Sequence, residues 1–384
     1  GCVEAGSLRE KGAHMKIVKV ETTRSTVQGY CWILLHTDSG LIGIGETHHG
    51  ANPAEVLMHE YAHGMLLGSN PEDIEKIWQQ MYKRASLFGF MGAELRAISA
   101  IDMALWDLLG KALDLPLYRI LGGRTREQVP IYFSGIYDGV ELEKDALQDW
   151  SRQCVDDDWT ACKTARFFQD YYGDTAGYIS AANVAEGARR LEWVREAVGD
   201  DLEVGLDLHC SFDVPSAIRI GRAIKPFNPY FMEEPIQPHN PAALREVRES
   251  SGVPIAAGER ILSRWGFREI IESNAADVLN PDIAWAGGIS ELRKIATYAE
   301  THYIPMAPHN YGPLSCLALT HLMAVIPNTR HLEFTPQHYA VWNAWLDEPI
   351  EWAQGHLPLP QRPGLGRELS AEVLAQPRTT IEMD

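Results

Sequence analysis

Nine side chains able to bind metal or move protons recur between residues 163 and 333 of this chain. They are Lys163, Asp207, His209, Glu233, Glu234, Glu259, Asp282, His309 and Glu333. Each stands at the end of a short apolar run: "TACKTA", "EVGLDLH", "YFMEEP", "PIAAGE", "DVLNPD", "YIPMAPH" or "HLEFTP". Asp207, Glu233 and Glu259 on consecutive runs suit one hard divalent cation. Mg²⁺ takes oxygen ligands octahedrally and keeps positions open for water or substrate. Without a cation, three buried carboxylates repel one another and their pKa values rise. Adjacent strand residues face opposite ways, so only one of Glu233 and Glu234 faces the metal; the other hydrogen-bonds nearby or contacts substrate. Asp282 beside His309 fixes a tautomer and raises basicity, which makes a general base. In "GLDLH", strand alternation is expected to aim Asp207 and His209 at one spot.

Such groups need a scaffold that brings many strand ends to one place. Eight apolar runs from residue 129 onward, the first being "VPIYFSG", are separated by steps of 23 to 43 residues. Helix-like text such as "NVAEGARRLEWVREAVG" fills the gaps. This spacing predicts a (β/α)8-type barrel, whose active sites lie at the C-terminal strand ends. An open doubly wound sheet is the competing layout, but "YFSGIYDG" is no GxGxxG phosphate turn. Residues 15–128 read as an α+β unit, with "TDSG" as a hairpin turn and "AELRAISAIDMALWDLLGKAL" as an amphipathic helix. The barrel spans 129–337. The Pro- and Trp-rich residues 338–384 wrap back over the N-terminal unit, and residues 1–14 are taken as a cloning remnant before "MKIVKVETT".

A formal net charge of −18, from 34 basic and 52 acidic residues, disfavours nucleic acid and anionic membrane. No run approaches 18 apolar residues, so no membrane span is expected. The six scattered cysteines fit reduced thiols in a cytoplasmic protein.

The motifs "GLDLH", "FMEEP", "AAGER", "NPD" with "AGGISE", and "APHN" with "GP" resemble those of the enolase superfamily, mandelate racemase subgroup. They are most similar to acid-sugar dehydratases of the D-galactonate dehydratase type. The resemblance runs from Met15 to "PGLGRE". It implies an α/β fold: a (β/α)7β TIM-like barrel under an α+β capping domain completed by the C-terminal segment. It further implies Mg²⁺ on Asp207, Glu233 and Glu259, with His309 and Asp282 as the base that removes the proton α to a carboxylate. His209 is similar to the general acid that expels the β-hydroxyl, and Glu333 to a glutamate near the substrate carboxylate. A homo-oligomer, from dimer to octamer, is implied as well.

Proton removal at one strand end and delivery at another is β-elimination, giving a 2-keto-3-deoxy acid from a small sugar acid. One departure bears on the reaction. Relatives that racemise carry Lys-x-Lys on the second barrel strand, whereas "CKTAR" has Lys163, Ala165 and Arg166. A second base is missing, which argues against a racemase or epimerase; a cycloisomerase stays open. Lys163 and Arg166 are expected to bind the substrate carboxylate or a distal hydroxyl. The loops near Thr22–Thr26 and Thr47–Asn52 are expected to set substrate choice, and His48 and His49 in "GETHHGAN" are expected to donate to distal hydroxyls or to be solvated. Outside this family, Lys163 as a Schiff-base lysine leaves three carboxylates unexplained, and a catalytically inert binding protein leaves the acid and base without purpose.

Overall fold

The computed structural model describes residues 15–25, 29–87, 89, 92–172 and 176–383. The leader 1–14 and Thr26 lie outside them. The N-terminal strands β1 (Ile17–Arg24), β2 (Cys31–Thr37) and β3 (Ile42–Thr47) form an antiparallel sheet. The β2–β3 connection is the expected "TDSG" turn, closed by Thr37 N–H to Leu41 O and Gly40 N–H to Thr37 O. A strand from the far end of the chain, β12 (Arg378–Glu382), adds to β1 in antiparallel register.

Two helices, α1 (Ala51–Tyr61) and α3 (Ala93–Leu113), pack on this sheet, and α2 (Ile74–Ser86) packs against α3. Leu95, Ile98, Ile101, Leu105 and Leu108 repeat at three- and four-residue steps along α3, and small Ala97, Ala100 and Ala104 share its buried surface. The small residues permit close approach. A Cβ on Gly43 would lie 2.2 Å from the Ala104 carbonyl oxygen, and one on Gly45 only 2.0 Å from that of Ala100. β3 therefore rests directly on the α3 backbone.

The larger sheet is parallel, in the order β10 (Leu332–Phe334), β4 (Gln128–Ser134), β5 (Ala161–Thr164), β6 (Glu203–Asp207), β7 (Phe231–Glu233), β8 (Ile255–Ala257) and β9 (Val278–Leu279). Seven of the eight expected runs are strands. The other, "YIPMAPH", is reduced to Met306, which bridges in parallel to Leu279 on one side and Thr329 on the other. Pro305 and Pro308 flank it and carry no N–H to donate, which explains why no continuous ladder forms. After residue 337 the weakly periodic text holds only short elements, among them β11 (His356–Pro358), which pairs antiparallel with β4.

Along the parallel strands the side chains alternate. Tyr132, Ala161, Phe231, Ala256, Val278 and Ala307 form a buried cluster apart from the main core, whereas neighbours such as Phe133, Cys162, Leu206 and Met232 join the large core. Two residues beyond Tyr132, Ala161, Gly205, Phe231 and Ala307 stand Ser134, Lys163, Asp207, Glu233 and His309. Period-two geometry thus sets a polar layer on an apolar floor.

The β3–α3 approach is testable. Gly45→Ala forces the strand off the helix and is expected to cost about 1–3 kcal/mol, read as a lowered midpoint in urea unfolding. An unchanged midpoint would mean that the two backbones are not in contact.

Candidate functional site

β6 and β7 are in register with Asp207 opposite Glu233, so two carboxylates share one level of the sheet. Glu259 reaches the same place from beyond β8, where Gly258 holds φ at 149° and turns the chain. Asp207, Glu233 and Glu259 are all buried, and one oxygen from each lies within 4.8 Å of the others. Lys163, opposite Gly205 in the β5–β6 register, inserts its ammonium among them. Its Nζ is 3.1 Å from Asp207 Oδ2, 3.0 Å from Glu233 Oε2 and 3.0 Å from Glu333 Oε1. Glu333 is held further by the Ser134 hydroxyl (2.6 Å) and the Tyr132 hydroxyl (3.0 Å).

This is an unbalanced electrostatic site. Burial raises Asp207, but the Lys163 ammonium and His209 outweigh it and bring the carboxyl down to about 2. Burial pushes Glu233 up to about 8 against the pull of Lys163, and Glu259 up to about 7 against that of His309. Burial likewise works against Lys163 being charged, yet Glu233 and Glu333 hold its pKa above the ordinary value. When ionised, four carboxylates against one ammonium leave three negative charges uncompensated. Glu233 is fully buried: its Oε2 meets the Lys163 ammonium, and its Oε1 has no hydrogen-bond partner. A half-satisfied, proton-hungry carboxylate in a ring of three is what a hard divalent cation satisfies. The donor set fits Mg²⁺, and it is the one such cluster among the described residues.

Two histidines flank the triad. His309 donates or accepts through Nδ1 at 2.6 Å from Asp282 Oδ2, and its Nε2 is 3.7 Å from Glu259 Oε1. Burial works against its protonation, but Glu259, Glu333 and Asp282 raise its pKa to about 10. On the other side, His209 Nε2 is 3.3 Å from Asp207 Oδ2. Alternation does not put it there. The strand ends at Asp207, and His209 (φ 45°) and Cys210 (φ 58°) are left-handed. The turn is held by His209 N–H donating to Asp207 Oδ1 at 3.0 Å. Metal-side aspartate and histidine meet through a turn, not along a strand.

A cavity of about 370 Å³ opens over these groups. Of the residues singled out from the sequence, His49, Lys163, Asp207, His209, Glu259, His309 and Glu333 line it, while Glu233 and Asp282 lie behind. Four expectations are corrected. Glu234, turned away by its φ of 40°, is buried against Arg260 and the Cys210 thiol and faces no cavity. Arg166 heads the short helix after β5 and its side chain does not line the wall. His48 is fully buried, beside Asp282. Thr22 is occupied inside the cap, between Glu55 and His59. Missed by sequence reading are Tyr132 and Ser134, which period two from β4 points at Glu333. Also missed are Asp138, Trp285 and Tyr311 on loops and His338 on the short helix Pro336–Trp342.

The chain matches two family models. One is the mandelate racemase / muconate lactonizing enzyme N-terminal domain, over residues 8–122; the other is the enolase C-terminal domain-like model, over 146–373. It is 32% identical to a D-xylonate dehydratase of Haloferax volcanii, over 94% of this chain and 88% of that protein. It is also 32% identical to a D-galactarolactone cycloisomerase of Agrobacterium fabrum, covering 89% of each. A solved member of the enolase superfamily from Salmonella Typhimurium superposes with a TM-score of 0.90 at 29% identity, over 96% of this chain and all of that one.

If Glu234 is held by Arg260 and does not serve substrate, Arg260→Leu leaves a buried carboxylate unpaired. Arg260 is partly exposed, so the expected loss is about 1–3 kcal/mol in urea unfolding. Full stability in that variant would return Glu234 to the list of substrate contacts.

Proposed function

The chain belongs to the mandelate racemase / muconate lactonizing enzyme family of the enolase superfamily, and from that footing we propose that it is a Mg²⁺-dependent dehydratase of a sugar acid. The carrying observation is the pair of histidines on two different members of one carboxylate triad: His309 beside Glu259, His209 beside Asp207. Asp207, Glu233 and Glu259 would hold the ion. When bound, it supplies the positive charge that absorbs the charge of the substrate carboxylate as the α-proton leaves, and it offsets the carboxylate field around His309.

The chain's own groups divide the remaining work. Lys163 Nζ, facing the cavity, binds the substrate carboxylate, and Glu333 with Ser134 and Tyr132 holds that ammonium in place. Asp282 fixes the Nδ1 side of His309, leaving Nε2 to take the α-proton. The electron pair moves into the Cα–Cβ bond as the Cβ–O bond breaks. His209 Nε2 protonates the departing hydroxyl to water, and the enol left behind tautomerises to a 2-keto-3-deoxy acid. Ala165 lines the cavity where a racemase would place a second lysine, which supports one-way proton removal. His49 contacts the distal hydroxyls of an aldonate.

The cycloisomerase relative keeps a second reading in view, because α-proton removal is common to both reactions. In this proposal residues 15–128 are the capping domain, 129–337 a closed (β/α)7β barrel with Met306 as its seventh strand, and 338–384 the segment that completes the cap. The buried free thiols of the five described cysteines support a cytoplasmic setting. Among the described residues no helix is long and apolar enough to cross a membrane. A homo-oligomer is part of the same proposal.

A panel of aldonic acids with Mg²⁺ should yield a 2-keto-3-deoxy acid from at least one, detected with semicarbazide and abolished by EDTA. No product from any acid, with Mg²⁺ bound, would overturn the reading. His309→Asn should lower kcat by about 10²–10⁴-fold. His209→Asn should lose dehydration yet still wash deuterium from D₂O into the α-position. If His209→Asn still dehydrates at the parent rate, the acid is another group.

A further inference from the structure

His48 is the one histidine beside the site that neither the carboxylate cluster nor the cavity accounts for. Its ring has no exposed surface and is packed among Tyr30, Trp285 and Tyr311, at centroid distances of 5.6, 5.2 and 5.7 Å. Neither ring nitrogen has a hydrogen-bond partner. Leaving such a group unsatisfied in a dry interior is unfavourable, and buried polar atoms are otherwise almost always paired. The polar atom it faces is Asp282 Oδ2, 3.6 Å from Nε2. That oxygen is the one that His309 Nδ1 reaches at 2.6 Å.

The surroundings keep the two groups adjacent. His48 follows the last residue of β3, and two hydrogen bonds pin the junction to the loop after Asp282. The Thr47 hydroxyl donates to Ala284 O at 3.1 Å, and Trp285 Nε1 donates to His48 O at 3.2 Å. The loop itself is anchored to α2 and α3. Trp78 Nε1 donates to Gly287 O, the Ser99 hydroxyl accepts from Gly287 N–H, and Asp102 accepts from the N–H and hydroxyl of Ser290. The N-terminal unit thus grips the strand end that carries the partner of His309. Burial, the dominant influence, lowers the His48 pKa to about 3 against the raising field of Asp282. A neutral imidazole there offers Asp282 one N–H and no charge.

We propose that His48 is a positioning residue for the elimination: its Nε2–H is the second donor to Asp282 Oδ2. A ring adjustment of about 0.6 Å brings the pair to hydrogen-bond length, and the bond holds the carboxylate that orients His309. This role rests on the dehydratase reading for its consequence but not for its geometry. It replaces the expectation that His48 touches distal hydroxyls, since the ring is walled off from the cavity.

Kinetics of the Mg²⁺-loaded full chain separate the two roles. His48→Phe keeps the ring's bulk but removes the donor. It should lower kcat by about 10–100-fold, the range for partners one step removed from the chemistry, with KM within about twofold of the parent. His48→Gln, whose amide nitrogen falls near Nε2, should restore most of kcat. Parent-like kcat in His48→Phe overturns the proposal, as does a loss confined to KM or a His48→Gln as impaired as His48→Phe. Should His48→Phe fail to fold, His48→Gln and His48→Leu carry the same contrast. Ring ¹⁵N spectra of the Mg²⁺-loaded parent, taken with no substrate, must show His48 as the Nε2–H tautomer; an Nδ1–H tautomer sinks the idea. The spectra need no turnover. They therefore decide the placement of His48 even if no sugar acid proves to be a substrate.

Discussion

Mutual repulsion among buried carboxylates is the constraint around which this molecule is arranged. Asp207, Glu233, Glu259 and Glu333 converge where water is nearly excluded, and Lys163 is the single ammonium set between three of them. Such an arrangement is unfavourable as a purely structural motif. It persists because the backbone fixes each side chain: the strands deliver Lys163 and Glu233 two residues beyond the apolar floor of Ala161 and Phe231, Asp207 in register with Glu233, and Glu259 through the turn at Gly258. A strand slipped by one residue would turn Glu233 outward and Met232 into the site. The unmet charge defines what can bind, namely a hard cation first and an anionic substrate through it.

The N-terminal unit does more than roof this floor. Its contacts concentrate on one loop, from Asp282 to Ser290, through Thr47, Trp78, Ser99 and Asp102. Asp102 is buried enough for its carboxyl to rise to about 7, with burial opposed by its two bonds from Ser290. That a buried acid is used as a fastener there indicates how closely the position of Asp282 is specified. The metal-side residues, by contrast, are fixed within the parallel sheet itself.

The layout of strands and the triad were legible because both are periodic: apolar runs at regular steps, each ending in a charge. The seventh run was read as a strand like the others, yet the two prolines around Met306 leave it a single bridging residue. His209 does meet Asp207, but through a turn, and Glu234 takes the nearby hydrogen bond and not the substrate contact. Both have positive φ, at 45° and 40°, and neither carries the Gly or Asn that would signal it. Alternation stops where the strands turn. Arg166 and His48 were judged by proximity in sequence to the site, which says nothing about which way a side chain leaves a loop. Asp138, Trp285 and His338 cannot be read at all, because two loops and a short helix bring them together only after folding.

The pairing of β12 with β1 has a consequence for how the molecule comes into being. Lys19 to Thr23 align with Glu382 to Arg378, residues separated by nearly the whole chain. A ribosome must therefore release almost everything before the edge of the first sheet is satisfied. Until then β1 offers an open row of amides and carbonyls to any passing strand, the ordinary route to misassembly. The charged and polar side chains of β1, among them Lys19, Glu21 and Arg24, guard that edge while it waits. Synthesis of β12 is thus also the step that gives β1 its missing partner and passes the open edge to a different strand.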